Sequence, residues 1–359
     1  MLMYILDAHQ DIAYNALRYG RDYRRSALRK RALEGEGENV RQNGYVTVGL
    51  PEAIAGRVAL VFATIFTAPA AQHNQTAWDA VSYRTVDEAY RLGMAQLDVY
   101  HQLEAEDSRL RIVRDRADLD AVLATWAADV PITERVQGLV LLMENADPII
   151  APEQFAEWYA GGLRLVGPAW QASRYAAGTG APGDLTALGR ELLDVMADHR
   201  AILDLSHLAE AAFYQALDHY EGAIIASHSN PRRFCDTDRH LSDDMIRRLA
   251  ERDGVMGVVL ANHFLKGGWK RSDGKSAVTL DTALDVIDHV CQITGSSHHI
   301  GIGSDFDGGF GMEGVPEEID TVADLWLFSE RLADRGFSPD DIALVLHGNM
   351  LRKLKEGLA

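Results

Sequence analysis

The sequence predicts an α/β protein, a (β/α)8 TIM barrel with C-terminal helices, and three observations predict it. Short apolar runs of strand length alternate with longer helical patterns along the chain. The runs are mostly unbroken, as strands of a parallel sheet covered on both faces should be. There are eight of them, which points to a closed barrel rather than an open doubly wound sheet. They are Met3–Leu6, Val58–Phe66, Gly138–Met143, Leu163–Val166, Ala201–Leu205, Ala223–Ser227, Val255–Leu260 and His299–Gly303. No G-x-G-x-x-G follows the first, so dinucleotide binding of the Rossmann type has no support.

The helical patterns between them are Thr85–Glu106, Ala117–Ala128, Pro152–Ala160, Leu188–His199, Glu210–His219, Ser242–Arg252 and Thr282–Thr294. Tyr19–Val46, Trp170–Asp184 and Phe264–Ser276 read as long loops, and Phe306–Glu318 continues the Gly-rich theme past the last strand. In a barrel, the loops after strands build the active-site mouth. Two helices, Thr321–Arg335 and Ser338–Glu356, close the chain, the second with Ser338 as N-cap and Pro339 at its first position. No linker interrupts the pattern, so residues 1–359 read as one domain.

Composition narrows the function. Hydrophobic residues make up 47% and charged residues 25%, ordinary for a globular enzyme. A net charge of −18 argues against nucleic acid and anionic membrane surfaces, which recruit basic patches. The two cysteines, Cys235 and Cys291, form neither a disulfide framework nor a C-x-x-C pair. The N-terminus lacks the basic region of a signal peptide, and the apolar runs fall short of a membrane span. A cytoplasmic, soluble protein is expected, and a homodimer is the usual assembly for such enzymes. Trp126, Trp158 and Trp326 read as core packing. His298 and His299 lie at the N-terminal end of the eighth strand, away from the chemistry. Asp243 and Asp244 suit a helix N-terminus.

Metal-type ligands fall at the C-terminal ends of five strands. Strand one ends in Asp7-Ala8-His9-Gln10-Asp11, where His9 and Asp11 share a face. Strand three ends in Glu144, strand five in Asp204-Leu205-Ser206-His207, strand six in Ala226-Ser227-His228-Ser229, and strand eight in Gly303-Ser304-Asp305-Phe306-Asp307-Gly308. Each residue alone has an ordinary structural reading: a satisfied histidine, a cap by Glu144, a turn at Asp305. Repetition at five strand ends outweighs them, because burying such charges without partners is costly. Three imidazoles and three carboxylates suit one or two Zn2+ ions with an open position for water.

These residues, in this order, resemble the membrane (renal) dipeptidase family of zinc peptidases, in its soluble bacterial branch, among the amidohydrolase-type barrels. The resemblance implies a metallo-dipeptidase with two Zn2+ ions bridged by Glu144 and a water or hydroxide. His9 and Asp11 would bind one ion, and His207 and His228 the other. Asp305 would carry the proton from the attacking water to the leaving amine, and Arg239 would grip the substrate's C-terminal carboxylate. A guanidinium fork suits that task. The family's tolerance of a C-terminal D-residue is expected as well. Two departures stand out: His240 follows Arg239 where the family often has Asn, and Leu165–Trp170 holds no histidine, with Trp170 in its place as a substrate-binding candidate. The altered segment keeps open a barrel amidohydrolase acting on an N-acyl amino acid or cyclic amide. A non-catalytic metal-binding protein is a third reading, which an uncommitted acid such as Asp305 argues against.

Overall fold

All eight apolar runs fold as strands. The structure is a computed structural model that describes residues 3–70 and 80–358. The barrel strands are β1 (Ile5–Gln10), β2 (Val58–Phe66), β3 (Gln137–Glu144), β4 (Leu163–Gly167), β5 (Ile202–Asp204), β6 (Ile224–Ala226), β7 (Val255–Val258) and β8 (Ile300–Ile302). Each is parallel to the next, and the sheet closes where Asp7 of β1 pairs with Ile302 of β8. The longest ladder runs from Leu60↔Gly138 to Phe66↔Glu144 and carries Glu144 to the end of β3. Every residue of β2 is buried, which explains its unbroken Val-Ala-Leu-Val-Phe-Ala-Thr-Ile-Phe sequence.

The differences from the sequence reading have local causes. β1 extends to Gln10 because polar residues 7, 9 and 10 belong to the strand although they interrupt its apolar run. A ninth strand, Leu110–Ile112, pairs with the first residues of β3, and three residues carry too little pattern to be seen. The expected loop at 19–46 holds two helices, Ala27–Glu34 and Glu38–Asn43. Ser26 caps the first, but only Ala27 and Lys30 are buried, so there is no apolar stripe to read. The expected loop at 170–184 holds a hairpin of Ala176–Gly178 with Ala181–Leu185, and a short helix, Asn262–Leu265, runs into the third expected loop. The first C-terminal helix begins as a 3-10 turn, and the second passes through a π turn at Leu344–Gly348.

Trp126 and Trp158 lie in the core, while Trp326 is half-buried beneath the Arg57 guanidinium at 4.4 Å. Two glycines are demanded by close approach. A Cβ on Gly257 of β7 or on Gly303 after β8 would sit 1.9 Å from the Ser227 carbonyl oxygen. Among the described residues no helix is long and apolar enough to cross a membrane.

Candidate active site

The chain leaves β3, β5 and β8 through sharp turns, while His9 is carried on β1 itself and His228 follows just after β6. His207 and Asp305 adopt positive φ angles of 67° and 61°, a region that non-glycine residues enter at a cost. Asn145 and Asp307 do the same beside them. The frame beneath is hydrogen-bonded across strands. Asp7 of β1 accepts from the Ser304 amide (2.8 Å) and hydroxyl (2.6 Å), and Asp307 accepts from the Thr47 amide (2.8 Å) and hydroxyl (2.7 Å). The acids of the two motifs thus divide: Asp7 and Asp307 brace the loops, while Asp11 and Asp305 turn to the mouth.

All six ligand-type residues converge. Glu144 Oε1 lies 2.9 Å from His207 Nε2 and 3.3 Å from His228 Nε2, and its Oε2 lies 3.5 Å from His9 Nε2. His9 Nε2 is also 3.8 Å from Asp11 Oδ2 and 3.9 Å from Asp305 Oδ1. The two oxygens of one carboxylate therefore face two donor sets, Glu144–His207–His228 and His9–Asp11–Glu144. A third grouping, His9–His228–Asp305, joins them. His207 and His228 face each other through Nε2 atoms 3.0 Å apart, and His9 Nε2 is buried without a hydrogen-bond partner. Thr64 donates to Asp11 Oδ1 at 2.6 Å, and Thr179 Oγ1 sits 3.1 Å from His207 Nδ1.

The electrostatics call for cations. Three carboxylates crowd one another: burial raises Asp305 well above the usual range and Asp11 to about 7. Burial disfavours charge on His9, but Glu144, then Asp11 and Asp305, outweigh it and hold that imidazole at about 9. Burial, aided by Arg239, pushes His207 down to about 4, and burial drives His228 well below its ordinary value. Both are therefore neutral near pH 7, the form that binds metal. Glu144 stays well below the carboxylate range, because the charge on His9 and the neighbouring imidazoles of His207 and His228 overcome its burial. Two neutral imidazoles, with a third imidazole and three carboxylates whose protons a bound cation would displace, fit divalent cations at one point.

Above the cluster lies a cavity of about 350 Å3. One wall is Tyr14, Phe66 and Trp170, with Trp170 edge-on to Phe66 at 5.1 Å and 6.1 Å from the His207 ring. The other is Arg239, His263, Phe264 and Phe310. Arg239 is 5% exposed, not a surface residue at a helix start. Its Nη2 donates to the His228 carbonyl (2.8 Å) and its Nη1 to Ser229 Oγ (3.3 Å), while Nε is buried with no partner. His240 stays out of the cavity, edge-on to Phe264 at 4.8 Å. The sequence reading missed Thr64 and Thr179 beneath the ligands, and Tyr14, Phe66, His263 and Phe310 on the walls. Phe66 was legible only as strand, and Thr179 sits in the hairpin taken for loop.

A closed parallel barrel with this cluster at its C-terminal mouth defines a metallohydrolase. The chain belongs to the membrane dipeptidase family (peptidase family M19), whose model matches residues 2–357. It is therefore a metallo-dipeptidase by family, a hydrolase of peptide bonds. It is 30% identical over 271 residues to an uncharacterized protein from the pqqA 5' region of Klebsiella pneumoniae, a match covering 72% of this chain and 94% of that one. It is 33% identical over 171 residues to an uncharacterized dipeptidase of Schizosaccharomyces pombe, covering 48% and 40%. The fold matches, at a TM-score of 0.79 and 23% identity, a crystal structure of a metallo peptidase from Rhodobacter sphaeroides liganded with a phosphinate mimic of the dipeptide L-Ala-D-Ala. That match covers 99% of this chain and 100% of the other.

Proposed function

We propose that this chain, one domain over residues 1–359, hydrolyses free dipeptides, including those with a C-terminal D-residue, using two zinc ions. His9, Asp11 and Glu144 would hold one ion, and Glu144, His207 and His228 the other. When bound, such ions would polarise the scissile carbonyl and make water nucleophilic near neutral pH. The chain's own residues supply the rest. Asp305, whose Oδ1 faces the cluster, takes the proton of the attacking water and returns it to the leaving amine. Arg239 binds the substrate's carboxylate and sets the register, so a third residue would put an amide where the guanidinium expects an anion. Trp170 and Phe66 close the opposite side and shed water from the bond being cut.

The single observation that carries this reading is Arg239: a buried guanidinium beside the cluster, with its Nε lacking any acceptor. Unpaired buried donors are costly and are kept where a ligand completes them. The phosphinate-bound relative supports a D-residue on that side. The test offers L-Ala-D-Ala, L-Ala-L-Ala and their C-terminal amides to the zinc-loaded enzyme. Cleavage of the free acids and sparing of the amides is expected. Sparing of the free dipeptides with cleavage of N-blocked or cyclic amides would favour an amidohydrolase for N-acyl amino acids or cyclic amides, the reading that Trp170 in the pocket wall keeps in play. We further propose a cytoplasmic homodimer; two free cysteines suit a reducing compartment, and sedimentation would test the assembly.

A further inference from the structure

Two of the cluster's imidazoles, His9 and His228, stack face to face with centroids 3.5 Å apart. Between them and the barrel floor lies one hydroxyl. Ser227 Oγ is 2.8 Å from His228 Nδ1 and 3.5 Å from His9 Nδ1. The same oxygen is 2.5 Å from Asp204 Oδ2. Asp204 sits at the end of β5, 1% exposed, and its other oxygen accepts from the backbone amides of Ser206 (3.0 Å) and Ser227 (2.8 Å).

Proton counting decides what this arrangement does. A hydroxyl has one proton to give and lone pairs to receive with. Asp204 can only accept, so the Ser227 proton goes to Oδ2. The two lone pairs left on Oγ accept from the Ser206 hydroxyl at 3.3 Å and from His228 at 2.8 Å, and only a protonated Nδ1 can donate there. His228 thus carries its hydrogen on Nδ1 and turns its Nε2 lone pair toward the cluster, while His9 Nδ1 lies farther off at 3.5 Å. The backbone holds the hydroxyl in place. Gly257 and Gly303 press so closely on the Ser227 carbonyl that neither position has room for a Cβ.

We infer that Asp204 is a positioning residue that, through the Ser227 hydroxyl, fixes the metal-binding tautomer of His228. This rests on the metal assignment made above. Orienting partners of this kind set ligand basicity and ring angle, and their loss costs roughly 10- to 100-fold in metal affinity.

The geometry makes an unusual forecast for Asp204→Asn. The Ser206 and Ser227 amides require an acceptor at the Oδ1 position, so the variant's amide oxygen goes there and its NH2 lies against Ser227 Oγ. That NH2 donates, the hydroxyl proton is freed toward Nδ1, and His228 is driven to the Nε2–H tautomer, which blocks a metal. Ser227→Ala only removes the clamp and imposes no wrong tautomer.

The experiment is chelator-competition titration of zinc into wild type and both variants, with 15N-histidine NMR of the metal-free proteins and thermal unfolding to check folding. Wild-type His228 should show Nδ1–H. Asp204→Asn should show Nε2–H and lose roughly 10- to 100-fold in zinc affinity, and Ser227→Ala should lose less. An unprotonated Nδ1 on wild-type His228, wild-type affinity in Asp204→Asn, or a larger loss in Ser227→Ala would each overturn the inference. Failure of wild type to bind zinc would instead sink the metal assignment beneath it.

Discussion

Replacing Arg239 with alanine isolates the contact proposed to make this cavity a dipeptide site. The side chain is almost wholly buried, and its partners in the chain occupy Nη1 and Nη2 only. A substrate carboxylate arriving there forms a desolvated, charge-assisted pair, and truncating one partner of such a pair costs about 2–5 kcal/mol. At 1.4 kcal/mol per tenfold, kcat/KM for a free dipeptide should fall roughly 30- to 4,000-fold. Most of the loss should be in KM, because the carboxylate is bound equally in the ground and transition states. Arg239→Lys should recover only part of the loss, since an ammonium cannot form the planar fork. The truncation also strips the His228 carbonyl of a donor. The assay therefore measures zinc content beside the kinetics and includes a poor substrate lacking the carboxylate. If that substrate loses as much as the free dipeptide while zinc is retained, Arg239 does not bind the carboxylate and the register argument fails.

Asp305→Asn should abolish turnover while zinc content stays near wild type, read by metal analysis beside initial rates; loss of metal with activity would make Asp305 a ligand, as its grouping with His9 and His228 allows. Lys30 is buried with its ammonium 6.0 Å above the Tyr23 ring, and burial lowers it from 10.5 to about 8. The unfolded chain then holds more protons between those values, so stability rises with pH across that window and the full penalty applies below pH 8. Lys30→Met should therefore be more stable at pH 7 by up to about 3 kcal/mol, with the gap closing toward pH 10.5 in urea titrations; a constant gap would contradict this. Gly257→Ala forces a Cβ onto the Ser227 carbonyl. It should cost roughly 1–3 kcal/mol in thermal unfolding and weaken zinc binding through His228, and a silent variant would show that β7 yields freely.

The barrel was legible because its strands are buried on both faces and so read as plain apolar runs. The candidate ligands were legible because they end those runs, so one pattern located both the strands and the cluster. What escaped was held by features without periodicity. The helices within 19–46 are charged and short, and the hairpin at 176–185 is built from Ala and Gly. Ser227 and Asp204 lay in quoted motifs, yet no spacing tells that one hydroxyl touches two rings. The cavity walls come from six separate segments, a convergence visible only once the barrel closes. Arg239 was found through resemblance; by its sequence neighbours alone it reads as a surface residue.

The most direct test strips the purified enzyme of metal, titrates zinc back, and follows release of free amino acids from L,L and L,D dipeptides. The account predicts no turnover without metal and full recovery as two equivalents bind, with L,D substrates cleaved. Undiminished hydrolysis by the stripped protein, or two bound equivalents with no dipeptide cleaved, would contradict it.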